Sequence, residues 1–405
     1  MTVRLSTSMI FQNGMKSMME SQTEVYRSQE QIATGKRLLS ASDDPAASSA
    51  VLQLRDAKAQ NEQYQLNADA ADAQLAFQET VYGDITNTLQ RVRDLIIQGN
   101  SDTTTQADRT IIAGEIETLR NGLFATANSK DINGDYLFAG NKADTIPFSE
   151  AAGGVSYQGD EGVRELKIGA SRNIAVNDNG KDVFMKIPSG NGVFSASAAM
   201  GNAGTGVIGV GSETGSFVSD TYTIQFTAAD PTTNSLANYE VYDSASALVA
   251  GPIDFESGDA LSFAGIEVKI EGDPSTGDTF TIEPSRNNDI FTTLQSVIDV
   301  FRETTDESAS SSYRHSAING AFLNVDNAME RIEVQRTQSG GRLNAVEQQK
   351  GVNENLIFQG EVNISRLEDV DMVEAIMNFQ MQLQALQAAQ QSFSTTQQRS
   401  LFDFI

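Results

Sequence analysis

The C-terminal stretch of the chain carries apolar residues at alternating spacings of three and four. The positions are Ile376, Phe379, Leu383, Leu386, Gln390 and Phe393, with one polar residue among them. This spacing is typical of a coiled-coil seam. No Gly or Pro occurs from residue 361 onward, so the pattern predicts one uninterrupted helix. Arg399 is the only charge between residues 375 and 402, which favours burial among neighbours over a solvated surface.

Two features flank this stretch. The acidic residues Glu368, Asp369 and Asp371 are expected at the start of the last helix, where carboxylates complement the helix dipole. The tail carries four large apolar residues, although chain ends are usually polar. These are Leu401, Phe402, Phe404 and Ile405. Two interpretations remain open: a helix docked on its own domain, or a helix that drives assembly.

The N-terminal region repeats the same rhythm. Its seam residues are Phe11, Met15, Met18, Gln22, Val25, Gln29 and Ile32. Gly14 weakens the helical character, and Gly35 is expected to end the helix. Each terminal seam needs a second helix, so each predicts the other as its partner. The alternative is two unrelated surface helices.

Further amphipathic helices flank the middle of the chain. Residues 71–96 give another seam, and residues 112–123 give a shorter helix that turns back antiparallel. Helix returns near residue 290 and is followed by a polar loop over 303–312. Helix then dominates from 313 to 358, with a bend or break expected at Gly340-Gly341.

Residues 146–285 consist instead of short apolar segments separated by Gly, Asp, Asn and Pro. Tyr222, Ile224 and Phe226 alternate as in a half-buried strand. The Gly/Ser/Ala-rich stretch 189–218 is expected to form long loops. The predicted strands are 163–168, 173–176, 222–226, 239–242, 266–270 and 279–282.

Helical ends around a β-rich middle predict an α+β multidomain fold. The N- and C-terminal segments are expected to form a long antiparallel helical bundle or coiled coil, with a mostly-β domain inserted. The expected domains are a terminal coiled coil of residues 1–40 and 365–405, a helical rod of 41–145 and 286–364, and an outer β-rich domain of 146–285.

Charge and composition limit the classes of binding partner that this chain is expected to have. The net charge is −26, so nucleic acid and anionic membranes are poor partners. Half of that excess, a net of −13, falls in residues 141–285, which indicates the most solvent-exposed part. No apolar run reaches the roughly 18–20 residues of a membrane span, so no membrane insertion is expected. The chain has no cysteine, which excludes disulfides and thiolate chemistry.

Each short motif that could indicate ligand binding or catalysis lacks the flanking elements or residues that such a site requires. The glycines at 204, 206 and 209 have the spacing of a dinucleotide-binding loop, but no strand precedes them and no helix follows. Residues 131–135 begin like a calcium loop whose later Gly and Glu are missing. His315 is the only histidine and is expected to be an exposed residue at a helix start. We therefore expect no catalytic, cofactor-binding or metal-binding residues and no enzyme. An enzyme would require a preorganised pocket within 146–285.

One segment carries a family resemblance. Ala33-Thr-Gly-Lys-Arg-Leu-Leu-Ser-Ala-Ser-Asp-Asp-Pro-Ala-Ala-Ser48 resembles the N-terminal signature of the bacterial flagellin family. Residues 89–95, 136–148 and 362–377 are similar to segments of the same family. The resemblance covers about residues 1–145 and 286–405.

The resemblance implies a structural subunit of the bacterial flagellum. The last residues, 386–390 and 400–405, are most similar to members that form a ring at the junction between hook and filament; a filament flagellin is the alternative. The implied partners are another hook-associated protein, flagellin, further copies of this chain, and an export chaperone on the C-terminal helix. Secretion by the flagellar type III route without cleavage is also implied.

Together with the seam pattern, the resemblance predicts the residues used in assembly. They are Phe11, Met15, Met18, Val25, Ile32, Ile376, Phe379, Leu383, Leu386, Phe393, Leu401, Phe402, Phe404 and Ile405.

Overall fold

The computed structural model describes residues 7–151, 154–228 and 237–398. The chain divides into two compact units. The terminal unit comprises residues 1–67 with 348–405, and the central unit comprises residues 68–347. The helices are α1 (Thr7–Thr34), α2 (Pro45–Gly99), α3 (Gln106–Ala127), α4 (Gly180–Phe184), α5 (Ile290–Glu303), α6 (Ser308–Glu368) and α7 (Met372–Gln398).

The helical core of the central unit is built from the apolar faces of α2, α3, α5 and α6. The α2 seam residues at 85, 89, 92 and 96 are almost completely buried, as the 3-4 spacing predicts. At the centre of the core the Phe184 and Phe291 rings stack with centroids 5.8 Å apart, and Phe148 lies 5.7 Å from Phe291. Aromatic residues thus fill the space that the helices enclose.

Ion pairs join α2 and α6 and show that the two helices are antiparallel. Arg336 Nε lies 2.6 Å from Glu79 Oε1, and Arg93 Nε lies 2.8 Å from Asp326 Oδ1. As the residue number rises on α2, that of its partner on α6 falls, which is the order of antiparallel helices.

A buried carboxylate adds a polar contact to this helical core. Asp178 accepts hydrogen bonds from Gln78 Nε2 at 2.5 Å, Tyr82 Oη at 2.8 Å and Arg342 Nη2 at 2.8 Å. Gln78 is the polar position of the α2 seam. Burial, together with the Asp178 carboxylate, raises the pKa of Tyr82, so its hydroxyl remains a donor.

The strands lie between α3 and α5, and every pairing between them is antiparallel. They are β1 (Phe148–Ala151), β2 (Gly154–Tyr157), β3 (Glu165–Lys167), β4 (Asn173–Ala175), β5 (Ile187–Pro188), β6 (Phe194–Ala198), β7 (Val207–Ile208), β8 (Ser212–Glu213), β9 (Tyr222–Thr227), β10 (Ala237–Tyr242), β11 (Leu248–Phe255), β12 (Ala260–Phe263), β13 (Ile266–Glu271), β14 (Thr279–Pro284) and β15 (Asn287–Asn288). The α+β class is therefore confirmed, and each predicted strand overlaps an observed one.

Two of the sheets share a core of their own. One has the strand order β11-β10-β9-β14-β6, and the other has β12-β13-β7 with β8 also paired to β13. Phe194, Phe226 and Phe280 are fully buried in this second core, which contains no residue of the helical core. We call residues 190–285 the β module.

The two ends of the β module meet at a narrow neck. Ser189 N–H donates to the Arg286 carbonyl at 2.9 Å, and Arg286 N–H donates to Ser189 Oγ at 3.1 Å. Strands β5 and β15 pair immediately outside. The chain therefore leaves and re-enters the helical core at one place.

Residues 148–187 pack with the helices. Phe148, Val155, Phe184 and Ile187 are buried in the helical core, not in that of the β module. The predicted domain boundaries stay a prediction, and these contacts favour placing 148–187 with the helices.

Several local expectations are corrected. Helix α6 runs without interruption through Gly340-Gly341, where a bend or break was expected. It begins at Ser308, inside the predicted loop 303–312, and the predicted loop region 189–218 contains β6, β7 and β8. The sequence pattern also gives no indication of β1, β2, β11 and β12.

Candidate assembly surface

Helices α1 and α7 pack against each other in antiparallel orientation. Near one end, the Phe11 and Phe393 ring centroids are 5.1 Å apart. In the other half of α1, Ser28 Oγ donates to Gln382 Oε1 at 2.6 Å. The two terminal seams therefore pair with each other, as their common spacing predicts.

Gly14 provides the space into which Phe393 packs. A Cβ atom at Gly14 would lie 3.0 Å from Phe393 Cδ2 and 3.2 Å from Cε2. These distances are shorter than ordinary van der Waals contacts. The residue that lowers helix propensity in α1 is thus the one that lets the two helices approach.

The pair leaves part of its seam open. Val25 is buried, whereas Phe11, Met15 and Ile376 remain exposed. The tail residues Leu401, Phe402, Phe404 and Ile405 lie outside the described residues. The other predicted positions are half-buried, namely Met18, Ile32, Phe379, Leu383, Leu386 and Phe393.

A second apolar stripe lies on α7 outside the seam. Val373, Met377 and Met381 follow one another at intervals of four, which places them along one side of the helix. All three are exposed, Met377 to 54% and Met381 to 60%. Glu374 is the only charged residue of α7. The predicted seam does not include this stripe. The spacing of four between its residues is a signal in the sequence that could have identified it.

Residues 369–371 separate α6 from α7. The last helix therefore starts just after the acidic cluster, close to where it was expected, but the stretch from residue 361 is interrupted although it has no Gly or Pro. Asp371 Oδ1 accepts the Val373 N–H at 2.9 Å and caps α7. Arg37 N–H donates to the Glu368 carbonyl at 2.7 Å. Hydrogen bonds from a distant part of the chain therefore satisfy the carbonyl that ends α6. We call this junction the elbow.

Glu368 lies at the end of α6, not at the start of the last helix as expected. Its carboxylate accepts hydrogen bonds from Lys36 Nζ at 2.5 Å and from Arg55 Nη2 at 2.6 Å. The hydrogen bond from Lys36, supported by Arg55, lowers the pKa of Glu368. The carboxylate thus ties the end of α6 to the segment after α1 and to α2.

The two segments that resemble ligand-binding loops are filled by carboxylates of this chain. Asp278 Oδ2 accepts the Gly204 N–H at 3.0 Å, so the glycine-spaced loop holds an internal carboxylate. Asp131 Oδ1 accepts the N–H groups of Asn133 and Asp135. The segment that begins like a calcium loop is therefore a turn closed on its own side chain.

His315 differs from the expectation of an exposed helix-start residue. It is half-buried in α6, and its Nε2 lies 2.7 Å from Asp102 Oδ1. In the described ranges, no group of three or more acidic, histidine or cysteine side chains is arranged to hold a metal ion. Within the same part of the chain, no helix combines the length and apolarity needed to cross a membrane.

Comparison with known proteins assigns the family. The model of the bacterial flagellin N-terminal helical region matches residues 5–143. Flagellar hook-associated protein 3 of Escherichia coli (strain K12) is 36% identical over 187 residues, which cover 46% of this chain and 58% of that protein. The chain thus spans a little over half of the length of that relative.

Solved structures extend the likeness. The crystal structure of flagellar hook-associated protein 3 from Legionella pneumophila has a TM-score of 0.74 and 31% identity, covering 78% of this chain and 98% of that chain. The flagellar junction protein FlgL from Legionella pneumophila has a TM-score of 0.71 and 32% identity, covering 79% and 100%. The chain therefore belongs to the bacterial flagellin family, as a member of the FlgL type.

Proposed function

We propose that this chain is a structural subunit of the bacterial flagellum at the junction between hook and filament. It assembles there through its terminal helices. The observation that carries the proposal is the α1–α7 pair, which covers only part of its own apolar surface. The relatives named above, a hook-associated protein and a junction protein, support this position in the flagellum.

The physical reason lies in the α7 stripe of Val373, Met377 and Met381. Large exposed apolar side chains on a nearly uncharged helix mark a surface that another protein covers. Met side chains adapt to surfaces of different shape, which suits a helix that meets more than one partner in turn. Before assembly that partner is an export chaperone. In the assembled junction the partners are further copies in a ring, another hook-associated protein and flagellin.

Secretion through the flagellar type III route belongs to the same proposal. A helix with such a surface would bind nonspecifically if released free into the cell, so a chaperone on α7 has a physical role. No catalytic step is proposed. In the two segments that resemble ligand-binding loops, backbone N–H groups already donate to carboxylates of this chain.

Location on the flagellum tests the proposal. Labelled copies in a strain that lacks the native protein should form one band at the distal end of the hook. Labelling along the whole filament would favour the filament flagellin alternative, as would long filaments formed by the purified chain alone.

A matched pair of variants tests the surface. Met377→Glu with Met381→Glu places charges on the α7 stripe and should abolish the band and motility. Leu248→Glu is the control, because Leu248 is exposed to 53% on the β module, close to the 54% of Met377. Circular dichroism should show both proteins folded. Normal motility with the double variant would remove the stripe from the interface.

A further inference from the structure

A groove lies at the elbow of the terminal unit, with a cavity volume of about 370 Å³. Its lining includes Leu38, Leu39 and Leu52. It also includes two cations, Lys36 and Arg55, and two carboxylates, Glu30 and Glu368. Leu52 is exposed to 61%, and Leu38 and Leu39 beside it are half-buried, so the groove presents apolar surface to solvent. We call this site the elbow groove.

The cations of the elbow groove have donors to spare. An ammonium has three N–H donors and a guanidinium has five. Among the described residues, Arg55 uses only Nη2, toward Glu368, and Lys36 Nζ donates only to that same carboxylate. Both side chains are about half exposed. A second carboxylate can therefore approach them from solvent.

We propose that the elbow groove binds the tail of a second copy of this chain, residues 401–405. The tail carries four large apolar side chains around one carboxylate, Asp403. Its apolar residues match the leucines of the groove, and Asp403 matches Lys36 and Arg55. The inference rests on the proposed function. It specifies one contact between neighbouring copies in the proposed ring, namely the tail of one copy in the elbow groove of the next.

The occupant must come from another copy because the tail of the same copy begins too far away. Helix α7 starts beside the elbow and runs for 27 residues, which is about 40 Å of helix at 1.5 Å per residue. The seven residues after Gln398 span at most about 25 Å when fully extended. They cannot return along α7 to the groove.

The absence of cysteine from the chain allows a direct test with single-cysteine variants of the full-length protein. Leu52→Cys and Phe402→Cys are made separately, with an affinity tag on one of them, and are mixed under mild oxidation. The expected product is a disulfide-linked dimer that contains one copy of each variant. The matched control replaces Leu52→Cys by Leu66→Cys. Leu66 lies on the same helix and is exposed to 64%, but it does not line the groove.

Adding Asp403→Asn to the Phe402→Cys chain tests the charge. Loss of one charge-assisted hydrogen bond should lower the cross-linking yield about tenfold. Each variant is checked by circular dichroism, so that an unfolded protein is not scored. Equal yields from positions 52 and 66, or no dimer from folded variants, would overturn the inference.

Localisation keeps this outcome separate from the proposed function. If the single-cysteine variants occupy the hook-filament junction in cells but do not cross-link from 52 to 402, only the elbow-groove inference fails. Labelling along the whole filament contradicts the junction position whatever the cross-linking shows.

Discussion

The α1–α7 pair and the central unit differ in how much apolar surface each buries by itself. In the central unit Phe148, Phe184 and Phe291 are fully buried by other residues of that unit. In the α1–α7 pair, Phe11 and Met15 remain exposed although they belong to the seam. Two helices cannot enclose a core, because each can cover only one side of the other. The difference separates a region whose large apolar side chains are covered within the chain from one in which they stay exposed.

The largest expected effect comes from deletions that test whether the β module is independent. Joining Ser189 to Arg286 by a short linker removes residues 190–285 and should leave the helical core folded, because the neck is already hydrogen-bonded. Deleting 148–284 should abolish folding, since Phe148 and Phe184 are lost from the helical core. Circular dichroism and thermal melting distinguish the two. Equal behaviour of the two deletions would show that the neck is not a boundary.

Next in size is the contrast between two phenylalanines. Phe291→Ala should cost about 3–5 kcal/mol of stability, because the side chain is fully buried among aromatic rings. Phe393→Ala should cost less than half as much in the free protein, because that ring is only half covered.

Urea denaturation followed by circular dichroism measures both costs. Phe358→Ala is the control, and because Phe358 is exposed its effect should stay within about 0.5 kcal/mol. Equal costs at 291 and 393 would contradict the contrast between the two regions.

A smaller effect is expected from enlarging Gly14. Gly14→Leu should destabilise the α1–α7 pair by about 1–3 kcal/mol, because the new side chain occupies the space of Phe393. Faster hydrogen exchange of the α7 amides would report the loss. Gly122→Leu in α3 is the matched control, since nothing lies within 4 Å of its Cβ position. That control should gain helix propensity of roughly 0.5–1 kcal/mol. A stabilising effect at both glycines would show that Phe393 can relocate freely.

The smallest effect concerns pH at the elbow. The pKa of Glu368 is lowered in the folded protein, so its ionised form stabilises the fold above the unfolded value of about 4.3. This contribution should disappear as the pH falls through the lowered pKa. It should not exceed about 1 kcal/mol, because Lys36 and Arg55 are half exposed.

Glu368→Gln measures this contribution. The variant should be less stable than the parent at pH 7, and the difference should shrink in acid. A difference that is independent of pH would assign the effect to packing.

Features with a strong local period were predictable from the sequence. The seams of α1 and α7 and the strand at Tyr222–Thr227 follow from their spacing alone. The break at 369–371 was not predictable from helix propensity, because it depends on Arg37 and on other residues more than 300 positions away. The acidic residues 368–371 indicated where the last helix starts, but not which of them ends α6 and which caps α7.

Tertiary packing explains the remaining differences. Two adjacent glycines cost roughly 1 kcal/mol each in a helix. Helix α6 nevertheless continues through Gly340-Gly341, because residues of α6 on both sides of the glycines are buried. Ser339 and Val346 on either side are completely buried. The placement of 148–187 was hidden for a similar reason, since short strands look alike whichever core receives them. For the assembly surface, the seam pattern identified which helices pair but not the outward stripe of Met377 and Met381.

The Asp178 network has a consequence for the accuracy of folding. A 3-4 seam repeats every seven residues, so long helices such as α2 and α6 have several apolar alignments of similar energy, each about 10 Å from the next. Only the native alignment places Gln78, Tyr82 and Arg342 around Asp178. A slip of α6 by one heptad against α2 would take Arg342 away from Asp178 and leave a buried carboxylate without its cationic partner, at a cost of several kcal/mol. The network thus acts as a register key: it contributes little net stability, but it makes the wrong alignments unfavourable.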